Sequence, residues 1–111
     1  MHHQPDPAMQ ECIETCLDCA QICRETAMQH CLEAGGRHVE PDHFRLMLAC
    51  ATICSAAAEI MMTGAPQHRA VCRACVEICE ACASSCETIG DMPECVAICR
   101  DCAQSCRTMA A

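Results

Sequence analysis

The sequence has no tryptophan, no tyrosine, no lysine and a single phenylalanine. With only one such aromatic ring, the chain lacks both a conventional aromatic core and a surface on which nucleobases stack. Its 7 arginines face 15 acidic residues, and a net charge of −8 argues against nucleic acid and anionic membranes as partners. No apolar run approaches bilayer length, and residues 1–10 show no export signal, so we expect a cytoplasmic chain without a membrane span.

Cysteine is abundant instead, with 16 of 111 residues. In an exported chain this density would indicate a disulfide scaffold. In a reducing cytosol the thiols stay free, and the same density indicates metal or redox chemistry.

Clusters of proline and glycine divide the chain into segments that favour helix. We expect one domain over residues 1–111, with a flexible terminus at 1–6 and helices at about 7–34, 41–63, 66–89 and 92–109. Asp6 followed by Pro7 is typical of a helix start, and Asp91 with Glu94 predicts a capping box. Four helices with short loops predict an all-α fold, an antiparallel up-down-up-down four-helix bundle.

An internal repeat supports the four helices. CIETCLDCAQIC (residues 12–23), CVEICEACASSC (75–86) and CVAICRDCAQSC (95–106) share the spacing C-x3-C-x2-C-x3-C. The segment CATICSAAAEIM at 50–61 keeps the first two cysteines, while Ala57 and Met61 stand in place of the others. Each predicted helix therefore presents the same face.

Steps of four, three and four residues keep side chains on one stripe of a helix. Charged residues occupy the opposite faces, so the stripes must face inward and line the bundle axis with sulfur. The predicted metal ligands are all the cysteines: Cys12, Cys16, Cys19, Cys23, Cys31, Cys50, Cys54, Cys72, Cys75, Cys79, Cys82, Cys86, Cys95, Cys99, Cys102 and Cys106.

Thiolate and thioether donors select soft ions, Cu(I) above all and zinc next. If each ion takes two sulfurs and each sulfur serves two ions, the chain holds on the order of 16 ions. Such a number suits a store and exceeds the need of a catalytic site. Three alternatives stay open: cysteine as a small apolar filler, disulfides, and an iron–sulfur cluster, whose usual cysteine run is absent.

Methionine and histidine collect at the two ends of the predicted bundle. One end gathers Met9, Met61, Met62, His68 and Met109, and the other His30, His43, Met28, Met47 and Met92. Since His43 and His68 continue the stripes in register, we include them with Met61 and Met109 as candidate ligands. Which end admits metal stays open.

The second predicted helix is apolar nearly all round, from Phe44 to Ile60. A helix that is apolar on both sides is buried on both sides. We therefore expect a homo-oligomer.

The repeated C-x3-C-x2-C-x3-C motif within four helices resembles the bacterial copper storage proteins, over about residues 9–109. The resemblance implies many Cu(I) ions held by inward cysteine thiolates in a preformed bundle, commonly a homotetramer. Because no export signal is seen, it is similar to the cytosolic branch. Ala57 and Met61, which replace thiols, imply a lower capacity than in the richest members.

We therefore expect a non-enzymatic cytosolic store that detoxifies Cu(I), with copper ions and a copper chaperone as its candidate partners. The main alternative is a zinc or general heavy-metal buffer of metallothionein type. A thiol redox enzyme is a third hypothesis. It would need one activated cysteine, which 16 near-equivalent thiols without a neighbouring lysine do not favour.

Overall fold

The computed structural model describes residues 6–111, so residues 1–5 of the predicted flexible terminus lie outside the described part. The helices are α1 (Pro7–Glu25), a π-helical segment (Thr26–Cys31), α2 (Leu32–Ala34), a 3-10 turn (Gly36–Val39), α3 (Pro41–Thr63), α4 (His68–Ile89) and α5 (Pro93–Ala110). Residues 6–111 contain no strand. The all-α fold class is confirmed, whereas the division into one domain stays a prediction.

Local chemistry explains the start of α1 and the end of α3. Asp6 Oδ1 accepts a hydrogen bond of 2.9 Å from the backbone N–H of Met9, and Pro7 opens α1. Gly64 ends α3 in the left-handed conformation, which a residue without a Cβ adopts freely. The predicted capping box of Asp91 and Glu94 is wrong: α5 has no side-chain cap.

The start of α5 serves the core instead. Asp91 adopts a φ of 63°, a conformation that aspartate tolerates better than most residues. Met92, the residue that precedes α5, is then turned inward and is only 4% exposed. α5 therefore begins after a buried thioether and lacks the side-chain cap that the sequence predicted.

The first predicted helix, 7–34, is not one regular α-helix. It widens into π-helical turns at Thr26–Cys31 before it regains α geometry at Leu32–Ala34. Cys31 follows Cys23 by eight residues, whereas two α turns take about seven. The wider turns absorb the extra residue and keep Cys31 buried, while His30 is exposed.

The four long helices form a ring in which each packs against two neighbours: α1 on α3 and α5, and α4 on α3 and α5. Sulfur contacts run in opposite directions along each pair. Cys12 meets Cys106 while Cys23 meets Cys95, so α1 and α5 are antiparallel. The predicted antiparallel bundle is confirmed, and it is elongated, with extents of 52 × 22 × 19 Å.

Within residues 6–111, α3 alone is long and apolar enough to cross a membrane by length and composition. Its most apolar 18-residue window has a mean hydropathy of 1.7, so the expectation that no apolar run approaches bilayer length is wrong by this measure. The bundle buries 39% of that window. Core helices of soluble proteins share this composition, and the inner face of α3 contributes Cys50 and Cys54 to the core.

Candidate metal centre

The core of the bundle is made of thiols. All 16 cysteines are free, and none exposes more than 1% of its surface. The other fully enclosed side chains are small or flexible, mainly alanine and methionine. In this structure the sulfur contacts are 3.4 Å or longer, well beyond the length of about 2.05 Å of a disulfide bond, so the cysteines are present as thiols.

One continuous row of contacts joins the cysteines of α1 to those of α5. The Sγ–Sγ distances are 3.8 Å for Cys12–Cys106, 3.6 Å for Cys16–Cys102, 3.9 Å for Cys19–Cys99 and 3.5 Å for Cys23–Cys95. Each step of the C-x3-C-x2-C-x3-C motif in one helix is thus matched by a step in its antiparallel neighbour. The repeat spacing explains why the row has no gap.

A second row joins α3 to α4, and cross-contacts tie the two rows together. Cys50 lies 3.7 Å from Cys79, and Cys54 lies 3.7 Å from Cys75. Cys54 also lies 3.7 Å from Cys102 on α5. Sulfurs from all four helices therefore approach one another across the axis, so an ion placed there has several donors within reach.

Hydrogen bonds between thiols raise the pKa of some cysteines and lower the pKa of others. The contact with Cys19, followed by those with Cys50 and Cys82, raises the pKa of Cys23. Contacts in which Cys50 accepts, first from Cys19 and then from Cys23, lower the pKa of Cys50. A metal ion that binds to these thiols must displace their protons.

Sulfurs also gather into groups of four. In each of five groups, the four Sγ atoms lie within 4.8 Å of one another. The groups are Cys16/Cys75/Cys102/Cys106, Cys19/Cys50/Cys54/Cys79, Cys23/Cys82/Cys95/Cys99, Cys19/Cys23/Cys50/Cys99 and Cys54/Cys75/Cys79/Cys102. Because several cysteines belong to two groups, neighbouring ions can share thiolates, as the sequence predicted for a multinuclear store.

Thioethers complete the core at the end where α5 begins. The Sγ atom of Cys31 lies 3.6 Å from Sδ of Met47 and 3.6 Å from Sδ of Met92. Burial, followed by the charges of Cys95 and Cys82, raises the pKa of Cys31. Sequence reasoning placed both methionines at this end but did not include them among the ligands. Their register with Cys50 and Cys95 was the available signal.

His43 lies at the same end, one turn before Met47 on α3. It is 4% exposed, and its Nδ1 lies 2.8 Å from the hydroxyl of Ser85. Its Nε2 is buried and has no hydrogen-bond partner among residues 6–111. Burial, and then repulsion by His38, lowers the pKa of His43 and favours the neutral imidazole. A neutral ring with a free nitrogen is the form that binds metal.

The remaining candidates lie at the opposite end of the bundle. Met61 is fully buried and continues the stripe of α3, whereas Met109 is half-buried beside the core. His68 is half-buried, and its Nδ1 lies 2.9 Å from the carbonyl oxygen of Ala65, which leaves its other ring nitrogen for a metal. The ligand roles of these three residues stay predictions.

A surface cleft reaches the core beside the turn between α4 and α5. It has a volume of about 420 Å³, and its lining includes Cys86, Met92 and the acidic residues Glu87 and Asp91. The cleft brings solvent close to sulfur at the end that holds Cys31. A cleft of about 460 Å³ also lies toward the opposite, Met61 end, where Ala8, Glu11 and Thr108 line it, but its lining includes no cysteine or methionine.

Comparisons with known proteins agree with this core. The crystal structure of a protein from Nitrosospira multiformis has 51% sequence identity and a TM-score of 0.93, covering 96% of this chain and 97% of that one. The Cu(I)-bound copper storage protein BsCsp3 has 37% identity and a TM-score of 0.84, with coverage of 94% and 99%.

The uncharacterized cysteine-rich protein YhjQ of Bacillus subtilis is 36% identical over 75 residues, 68% of each chain. A family model described as copper storage protein matches residues 5–111. The resemblance noted in the repeats is confirmed by these matches. The chain belongs to the copper storage protein family.

Proposed function

We propose that this protein stores Cu(I), binding many ions per chain through the thiolates that line its bundle. The observation that carries the proposal is the set of 16 free, buried cysteines, most of which have an Sγ atom 3.4 to 4.0 Å from that of another cysteine. Soft thiolate donors at bridging distance suit a monovalent soft ion. Family membership and the Cu(I)-bound relative BsCsp3 support the same function.

An anaerobic titration tests this function. Reduced, metal-free protein is mixed with increasing Cu(I), separated by gel filtration and analysed for copper and protein. We expect on the order of 16 ions per chain to co-elute, one for each thiol. A plateau at one or two ions would contradict storage and point to a single-site copper protein.

We propose that Cu(I) reaches the core through the cleft at the α4–α5 turn. Cys86 and Met92 line this cleft together with Asp91, whose carboxylate attracts a cation, and with Arg100, whose charge is paired with Glu87. Met92→Leu keeps the volume but removes the sulfur, so it should slow uptake without changing the final capacity. Met62→Leu at the other end, at an exposed methionine that is not among the candidate ligands, is the control, and equal slowing in both variants would contradict this route.

The proposal includes a homo-oligomer, with the tetramer that the family resemblance implies. An apolar groove of about 420 Å³ between α3 and α4 supports it, lined mainly by Leu48, Ala49, Ile53 and Ile78. Ala49→Glu should lower the mass measured by sedimentation, since a charge would have to be buried at the contact. Ala97→Glu, at an exposed residue of α5, is the control and should leave the mass unchanged. A monomeric mass for the unaltered protein would refute the contact.

We place the protein in the cytoplasm, because thiols at this density stay reduced only in a reducing compartment. Cell fractionation followed by thiol labelling tests this location. We include a copper chaperone as a partner because none of the thiols is exposed to capture a free ion first. If this protein takes up Cu(I) faster from a loaded chaperone than from a small Cu(I) chelate, the result would support that partner.

The proposal assigns no catalytic step to the thiols. A thiol oxidoreductase needs one accessible, activated cysteine, and here every cysteine is enclosed. Disulfide reductase turnover by the reduced protein would contradict this part of the proposal.

A further inference from the structure

Three of the four-thiol groups share no member. They are Cys16/Cys75/Cys102/Cys106, Cys19/Cys50/Cys54/Cys79 and Cys23/Cys82/Cys95/Cys99. They follow one another along the bundle axis and use all the cysteines except Cys12, Cys31, Cys72 and Cys86. Each of the other two groups draws its members from those already used, so at most three separate groups can be filled at once within residues 6–111.

The sulfur atoms of these groups lie within 4.8 Å of one another, a spacing compatible with a tetrahedral site. A Zn–S bond of about 2.3 Å gives an edge of about 3.8 Å between the sulfurs of a regular tetrahedron. In the first group the Sγ atom of Cys16 lies 3.6 Å from that of Cys102 and 3.5 Å from that of Cys106. Cys102 lies 4.0 Å from Cys106. These distances need little adjustment to enclose an ion.

We infer that the copper-free bundle also binds three divalent ions of tetrahedral preference, Zn²⁺ or Cd²⁺, one in each of the three separate groups. On binding, four S–H bonds break, four metal–sulfur bonds form, and about four protons leave for each ion. No oxidant or reductant is needed. The inference concerns a second class of ion and does not depend on copper storage.

Geometry and composition give different stoichiometries. Counting thiols alone, 16 cysteines at four per ion would hold about four ions. The group geometry allows three, because Cys12, Cys31, Cys72 and Cys86 do not form a group together. Among them, Cys31 has thioether neighbours in Met47 and Met92 instead of thiols. The measured number therefore separates a preformed site from a flexible thiol pool.

The test uses the full chain, reduced and free of metal, under anaerobic conditions. Cd²⁺ is added while the sulfur-to-cadmium charge-transfer absorbance is followed, and bound cadmium is counted after gel filtration. We expect the absorbance to stop rising at about three ions per chain, and the ¹¹³Cd NMR signals to be those of tetrathiolate sites. A break near four ions, or signals from fewer sulfurs, would overturn the inference.

Matched serine variants locate the sites. Cys82 and Cys86 lie one turn apart on α4 and are both fully buried, but only Cys82 belongs to a group. Cys82→Ser should bind about two ions and Cys86→Ser about three, although each lacks one thiol. Equal losses in the two variants would show that the groups do not define the sites.

A second pair keeps the test decisive if either α4 variant fails to fold. Cys16→Ser removes a member of the first group, and Cys12→Ser removes a neighbour on α1 that belongs to none. We expect the same loss of about one ion for Cys16→Ser alone. Circular dichroism of each variant verifies its helicity, and unchanged binding by helical Cys16→Ser would refute the assignment.

Discussion

Ala57 is the position at which the structure makes its strongest prediction about capacity. It stands where the third cysteine of the repeat occurs in the other helices, and it is fully buried between Cys54 and Met61 on the stripe of α3. Ala57→Cys restores the missing thiol. With one ion per thiol, the variant should bind about 17 ions instead of about 16.

The neighbouring Ala58 provides the control. It is also fully buried, but it corresponds to Ala20, Ala83 and Ala103, the alanines that follow the third cysteine of each repeat and so lie about 100° around the helix from that cysteine. Ala58→Cys adds the same atom off the axis and should leave the capacity unchanged. Either substitution enlarges a packed core and should cost roughly 1–3 kcal/mol in the free energy of unfolding.

Native mass spectrometry of copper-saturated protein resolves a difference of one ion. The two variants are compared with the unaltered protein at matched concentration, after circular dichroism has verified that both are helical. An extra ion in both variants, or in Ala58→Cys alone, would refute the reasoning that the stripe position decides which thiols hold copper.

Three further results are expected. Circular dichroism of the reduced, metal-free protein should show a helical spectrum, since neutral cysteines pack as small apolar groups; a random-coil spectrum would refute this. Met47→Ala should lower the free energy of unfolding by about 2–5 kcal/mol, because Met47 is fully buried, whereas Met62→Ala, at a side chain 53% exposed, should change it by less than about 0.5 kcal/mol. Burial lowers the pKa of His43 in the folded protein, so His43 binds a proton more readily when the protein is unfolded. The free energy of unfolding should therefore fall as the pH drops below about 6.5. Denaturant unfolding at two pH values should show a smaller fall for His43→Gln.

Much of this architecture follows from spacing alone. The step pattern of the repeats places cysteines on one stripe of each helix, and the antiparallel order then sets Cys16 against Cys102 and Cys54 against Cys75. Proline and glycine mark the loops closely, since α3 begins at Pro41 and ends just before Gly64. These features depend on local geometry, which a single sequence contains.

The features that the sequence did not predict depend on contacts between helices. The π-helical turns place Cys31 in the core, where its Sγ atom contacts the Sδ atoms of Met47 and Met92. The same burial of Met92 displaces the capping box predicted at Asp91. Local propensity gives no sign of either outcome, because both depend on a partner far along the chain.

Charge balance explains how one core can suit monovalent copper so well. The cysteine thiols are buried. When a neutral thiol exchanges its proton for Cu(I), the net charge of the core does not change. A divalent ion held by four thiolates instead leaves a net charge of about −2 in a low-dielectric interior, at a considerable cost. Cu(I) should therefore displace Cd²⁺ from the groups that contain Cys82 and Cys16, and cadmium measured by elemental analysis should leave the protein as copper is added. Retention of cadmium at copper saturation would contradict this charge argument while leaving the separate stoichiometries intact.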